Sequence, residues 1–191
     1  MKIFYDGVLA GEPVWIGIDQ SYSGFGFTAL NNNGFYTEVY KSDARGVDRL
    51  KDIQAHVMNW IHEFEEIADV AMEGYAFAGQ GAVYQLGELG GMVKMTLHDF
   101  GIYPLIIPPT TLKKYVAGKG NGVSKSQILL NVYKTWGVEF TDDNAADSYA
   151  LARMAQGDVR YAYQKQVLDK IKDNPEYRER GINGSSKKSS D

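Results

Sequence analysis

Val14-Trp15-Ile16-Gly17-Ile18 is an unbroken β-prone run that stops at a lone carboxylate, Asp19. A Ser/Gly-rich turn, Gln20 to Gly24, follows, and a second β-prone run extends from Phe25 to Leu30. Apolar stretches of this length, bounded by turn residues, read as a buried strand, a tight turn and a returning strand. Asp19 is the costly part of that reading. A carboxylate at the tip of a core strand is strongly unfavourable unless something compensates its charge. Asp19 therefore needs a partner, and we read that partner as a metal ion.

A chain of 191 residues can bury a full core and is read as one domain, residues 1–175, with its core at about 14–156 and a polar, disordered tail at 176–191. No cysteine occurs, which excludes disulfides and thiolate metal sites. No apolar run reaches transmembrane length and residues 1–11 do not resemble a signal peptide, so the expectation is a cytoplasmic protein with no membrane partner. The net charge of −4 speaks against a general affinity for nucleic acid. Its distribution speaks otherwise: from Gly101 to Val138 there is no Asp or Glu, while Lys113, Lys114, Lys119, Lys125 and Lys134 fall in that interval.

Asn31-Asn32-Asn33-Gly34 is a hairpin signal, and Phe35 to Lys41 alternates as a third antiparallel strand. Residues 48–66 keep the helical spacing of Leu50, Ile53, Val57, Trp60, Ile61 and Phe64. His56 and His62 on that helix are read as packing or surface residues. Ala68 to Glu73 repeats the opening theme, a short apolar strand that delivers a carboxylate just before Gly74. A helix over 82–100 carries Gly87, Gly90 and Gly91, small residues that let another backbone come close. Tyr103 to Ile107 is a further strand, and Thr110 can cap a short helix through Val116. Ser124 caps a helix running to Trp136, Asp142 and Asp143 open another from 145 to about 156, and a polar helix covers 160–172. Asp147 stands apart, inside the first turns of its helix and among small residues that predict tight packing on the sheet.

Asp19, Glu73 and Asp147 thus come from distant places to special positions. If the two acid-bearing strands are neighbours, their ends meet at one sheet edge. Converging carboxylates repel unless protonated or bridged by cations. Oxygen-only ligation favours magnesium or manganese, and two such ions about 4 Å apart can clamp the attacking and leaving oxygens of a phosphodiester.

These residues together resemble the RuvC-like Holliday junction resolvases of the RNase H-like nuclease superfold. The resemblance rests on the strand-end Asp19 and Glu73, on Asn144-Ala145-Ala146-Asp147 and the Ser148 to Ala152 that follow, on Leu86 to Gly91, on Leu112 to Gly118 and on Ser124 to Gln127, in the family's order. It implies an RNase H-like mixed five-stranded sheet, three antiparallel strands then parallel ones, flanked by helices. It also implies a homodimer through helix 82–100 that nicks four-way DNA junctions symmetrically with two Mg2+ ions, for which Mn2+ can substitute, and without a nucleotide cofactor. A phage-type member fits the short chain. Asp19, Glu73 and Asp147 would be metal ligands, and Lys113 and Lys125 would contact phosphate or stabilise developing charge. Lys114 and Lys119 would add DNA contacts, and the loop with Tyr75 and Phe77 would supply the aromatic that wedges into the junction. The sequence departs from the family in a shorter turn after Asp19 and in Asn144, which stands where many members carry a fourth charged ligand. Asn144 or Asp143 could complete the site. A less selective branched- or flap-DNA nuclease and a non-catalytic DNA-binding module remain as alternatives. A sugar-kinase-like ATPase would need two copies of the fold.

Overall fold

The strand that ends at Asp19, β2 (Val14–Asp19), lies inside a six-stranded sheet. The computed structural model describes residues 1–7, 9, 11–75 and 83–178. β2 pairs antiparallel with β3 (Phe25–Leu30), which pairs antiparallel with β4 (Gly34–Tyr40). On its other side β2 runs parallel to β5 (Ile67–Glu73), and β5 runs parallel to β6 (Leu105–Ile107). These are the five strands expected. A sixth, β1 (Lys2–Gly7), pairs antiparallel with β4 and forms the outer edge.

The β3–β4 turn forms as its asparagines require. The Asn31 side-chain oxygen accepts from the backbone N–H of Asn33 at 2.8 Å and of Gly34 at 3.1 Å. On one sheet face lie α1 (Gly46–His62) and α2 (Val83–Asp99), packing Ile53, Val57, Trp60 and Leu89 onto Ile16, Ile18, Phe25 and Phe27. Trp60 stacks on Phe27 with ring centres 4.2 Å apart. The buried Glu38 on this face is fully served by donors: the Tyr36 hydroxyl at 2.7 Å, the Trp60 indole N–H at 3.1 Å and His56 at 2.8 Å. His56 is thus a packing residue, in keeping with its place on the helix.

The other face is covered by α5 (Asp143–Gln156), with α3 (Pro109–Ala117), α4 (Lys125–Trp136) and α6 (Ala162–Asp173) packed around it. α5 comes close because two strand glycines admit it. A Cβ on Gly17 would stand 2.0 Å from the Ser148 carbonyl oxygen, and one on Gly26 would stand 2.5 Å from the Asn144 carbonyl oxygen. The alanine-rich stripe of α5 is the helix's half of that contact. Thr28 seals it with a buried hydroxyl chain, 2.8 Å to Thr37 and 2.9 Å to Ser148.

Some boundaries differ from expectation. α1 ends at His62 rather than 66, because the chain must enter the sheet there and the Glu66 carbonyl accepts from Val14 N–H at 3.0 Å. α3 starts at Pro109, with Pro108 and not Thr110 as its cap; the Pro108 carbonyl accepts from Thr111 and Leu112. Ser124 forms the expected cap, a capping box with Gln127. Asp142 caps α5 through the Asn144 N–H at 3.1 Å. The expected tail at 176–191 lies, from residue 179, outside the described residues.

Candidate active site

Parallel pairing sets the register that matters. Ile18 stands opposite Met72, so the next residue on each strand, Asp19 and Glu73, leaves the sheet at the same edge. α5 crosses the same end and brings Asn144 and Asp147 above them. Asp19, Glu73, Asp143, Asn144 and Asp147 line one cleft of about 400 Å³, with Gln20 and Tyr75 in its wall.

The cleft's electrostatics differ from those around Glu38. The side chain of Asp19 is hydrogen-bonded to another acid, Glu73. Burial raises the Asp19 carboxyl well above the usual range, and the charges of Glu73 and Asp147 raise it further. Burial raises Glu73 too, against the pull of its bond to Asp19 and of Lys113. Asp147 is pushed up to about 7, first by burial and then by Glu73 and Asp143, while Lys113 and Lys125 oppose the rise. Asp19 is buried and Glu73 and Asp147 are half-buried, and the three acids act on one another. Such an all-oxygen donor set suits a hard divalent cation, which would relieve the repulsion. Among the described residues, no three acid or histidine side chains are gathered closely enough to form a ready-made metal site.

The two lysines expected at the phosphate, Lys113 and Lys125, both act on this cluster. Lys113 on α3 acts on Glu73 and Asp147, and Lys125, the first residue of α4, forms an ion pair with Asp143. Lys114 and Lys119 are not among the groups that shift the three acids. Tyr75 lies at the cleft wall with its hydroxyl 3.5 Å from the Gly87 carbonyl oxygen and the Lys94 ammonium 5.5 Å from its ring centre. Phe77 lies outside the described residues.

Gln20 was not singled out by the sequence. It is buried, and its amide nitrogen donates to the Glu73 backbone carbonyl at 2.7 Å, tying the end of β2 to the end of β5. Its amide oxygen is buried without a partner among the described residues. Only its place directly after a strand-end acid could have flagged it. Gly90 of α2 faces this pair: a Cβ there would stand 2.2 Å from the Gln20 amide oxygen and 2.6 Å from the Tyr75 hydroxyl. Gly90 is therefore small for a contact inside the chain, whereas Gly87 and Gly91 have no neighbour among the described residues.

Neither a family model nor a curated protein matches the chain. Solved structures do. A Thermus thermophilus RuvC in complex with a Holliday junction substrate superposes with a TM-score of 0.61 at 24% identity, covering 74% of this chain and 91% of that one. A second Thermus thermophilus RuvC structure gives 0.60 at 22% identity, covering 83% and 96%. The fold is RuvC-like, a member of the RNase H-like class. No helix among the described residues is long and apolar enough to cross a membrane.

Proposed function

We propose that this chain is a divalent-metal-dependent endodeoxyribonuclease that resolves four-way DNA junctions. The observation that carries the reading is the convergence of Asp19, Glu73 and Asp147 in one cleft of a RuvC-like fold, with Lys113 and Lys125 acting on it. The three carboxylates would hold two magnesium ions, or manganese in their place, with a fourth oxygen from Asn144 or Asp143. When bound, the cations would activate water and neutralise the charge that develops on the phosphodiester, leaving 5′-phosphate and 3′-hydroxyl ends.

The chain's own groups prepare that chemistry. Gln20 holds the backbone of Glu73 at a fixed distance from β2, so the two strand-end acids keep their register. Lys113 favours the ionised forms of Glu73 and Asp147. With Lys125 it supplies positive charge at a cleft that must receive a phosphate, although the chain as a whole is acidic. Tyr75, Lys114 and Lys119 would extend the DNA contact. A homodimer through α2 fits Gly87 and Gly91, which meet nothing among the described residues, and the exposed Tyr84 and Met95.

The test is magnesium-dependent cleavage of a synthetic four-way junction against matched duplex and flap DNA. Preferential paired nicks in the junction are expected; equal cutting of all three substrates refutes junction selectivity. Lys113→Ala should slow cleavage by about 10- to 100-fold, because a charge aimed at the phosphate is lost in a partly desolvated site. An unchanged rate would make Lys113 a surface lysine.

A further inference from the structure

β1 is the outer edge of the sheet, and among the described residues no strand pairs with its free side. It pairs with β4 from Lys2 to Gly7 without a shift in register and contains no proline. Such an edge presents a row of unpaired backbone donors and acceptors that can template another strand. Its side chains alternate between two faces. Lys2, Phe4 and Asp6 share one, where the Phe4 ring meets Phe140 edge-on at 5.1 Å and the Lys2 ammonium lies 2.8 Å from Asp142. Met1, Ile3 and Tyr5 alternate onto the other and are 71%, 44% and 77% exposed. Lysine commonly guards an edge against pairing, but here Lys2 is already engaged by a carboxylate.

We propose that β1 pairs antiparallel with β1 of a second copy of this chain, about a two-fold axis at Phe4. Strand pairing keeps the two faces matched, so an odd position can oppose only an odd one. Centring on Phe4 sets Lys2 opposite Asp6 of the second copy and Ile3 opposite its Tyr5, and it uses the whole strand. Centring on Ile3 sets Lys2 against Phe4, and centring on Tyr5 sets Asp6 against Phe4. The charges therefore select the first register. Asp6 is exposed and forms no ion pair among the described residues. The Lys2 ammonium has three donors, so it can meet that carboxylate while keeping Asp142. Tyr5 against Ile3 is an aromatic–β-branched pair, a favoured cross-strand neighbour. The contact uses neither the cleft nor α2, so it stands independently of the nuclease reading. Added to a dimer through α2, it would join dimers into tetramers or longer assemblies. One strand pair is small beside the roughly 1,200 Å² of a stable interface, so the association should be reversible.

The chain has no cysteine, so introduced thiols report the register without background. Full-length Ile3→Cys and Tyr5→Cys chains, one lengthened by a C-terminal tag, are mixed and mildly oxidised. Thiols at directly opposed positions come within reach of a disulfide, whereas those two positions apart do not. Mixed cross-linked dimers should therefore exceed like-with-like dimers by about tenfold. Adding Asp6→Lys to both chains should lower the mixed product by about tenfold, because both charge pairs become repulsive, and adding Lys2→Glu as well should restore much of it. In the parent chain, amide exchange over Lys2–Gly7 should slow as protein concentration rises. Equal yields of mixed and like-with-like dimers, no dimers, or a mixed product indifferent to Asp6→Lys overturn the proposal. So does amide protection that is the same at every concentration, which would mean that the chain's own residues cover the edge.

Discussion

Asp19→Asn is expected to abolish junction cleavage, by a factor on the order of 10³ or more, while leaving junction binding intact and making the metal-free protein more stable. The two effects share one cause. Asp19 is buried at the end of β2 against Glu73, with Asp147 and Asp143 also acting on it. Removing its charge relieves repulsion in the absence of cations. It also removes an oxygen donor with full charge from the site. A rise of a few degrees in melting temperature in EDTA at pH 8 corresponds to about 1 kcal/mol in a domain of this length. A variant that melts with the parent, or that still cuts, rules out the assignment of Asp19 to a repelling metal site.

The pH dependence fixes the sign. An acid whose pKa is higher in the folded than in the unfolded chain binds more protons when folded, so its contribution to stability is complete at low pH and is lost as pH rises. For Asp147 the window runs from its ordinary value of 3.8 to about 7. Asp19 and Glu73 shift in the same direction, each chiefly through burial. Asp52, held low by hydrogen bonds from Ser42 and Tyr40, works in the opposite sense, but it is common to parent and variant and cancels in their difference. The advantage of Asp19→Asn should therefore be small near pH 4, grow up to about pH 7, and then level off. A difference of melting temperatures that shrinks with rising pH would contradict the cluster's electrostatics.

Sequence alone reveals the features that local chemistry determines. Val14 to Asp19 and Ala68 to Glu73 stand out because an apolar run that ends on an acid is costly to bury unless the acid meets a partner. Asp147 is marked by the alanines around it, whose meaning is tight packing; the structure supplies their counterpart in Gly17 and Gly26. β1 is less distinct. Its residues are mostly exposed, so no buried face imposes a clear alternation on the sequence. Gln20 and Gly90 escape for another reason. Each has its size and polarity set by the other across 70 positions, a relation that spacing along the chain does not express. The glycines of α2 read as one group facing another backbone, yet they divide: Gly90 meets Gln20 and Tyr75, while Gly87 and Gly91 meet nothing among the described residues. The Lys125–Asp143 pair likewise exists only because two helices start at the same place.

Gly17→Ala should be a strongly damaging single-methyl change in the core. The added Cβ would stand 2.0 Å from the Ser148 carbonyl oxygen, 2.3 Å from the Ala152 nitrogen and 3.0 Å from the Leu151 carbonyl carbon. All three are helix backbone, so no rotamer change can make room; α5 must lift from β2 or the strand must shift. Either movement opens the buried contact of Ala145, Ser148, Tyr149 and Ala152 with the sheet. Overpacking of this kind costs about 1–3 kcal/mol where side chains can adjust, and roughly 3–5 kcal/mol is expected where only backbone faces the intruder. That is a large part of the roughly 5–15 kcal/mol by which a typical domain of this size is stable. Urea unfolding should show a lower midpoint with little change in slope, because the folded and unfolded chains keep their overall exposure. The chemistry should suffer beyond the loss of folded protein. Asp147 rides on the displaced helix while Asp19 stays on β2, so Mn2+ should stabilise the variant less than the parent even where both are folded. Gly11→Ala is the control: the added methyl would meet nothing among the described residues, but φ is +77°, so its cost should be backbone strain and its response to Mn2+ unchanged. If Gly17→Ala loses no more stability than Gly11→Ala, the close seating of α5 on β2 is wrong.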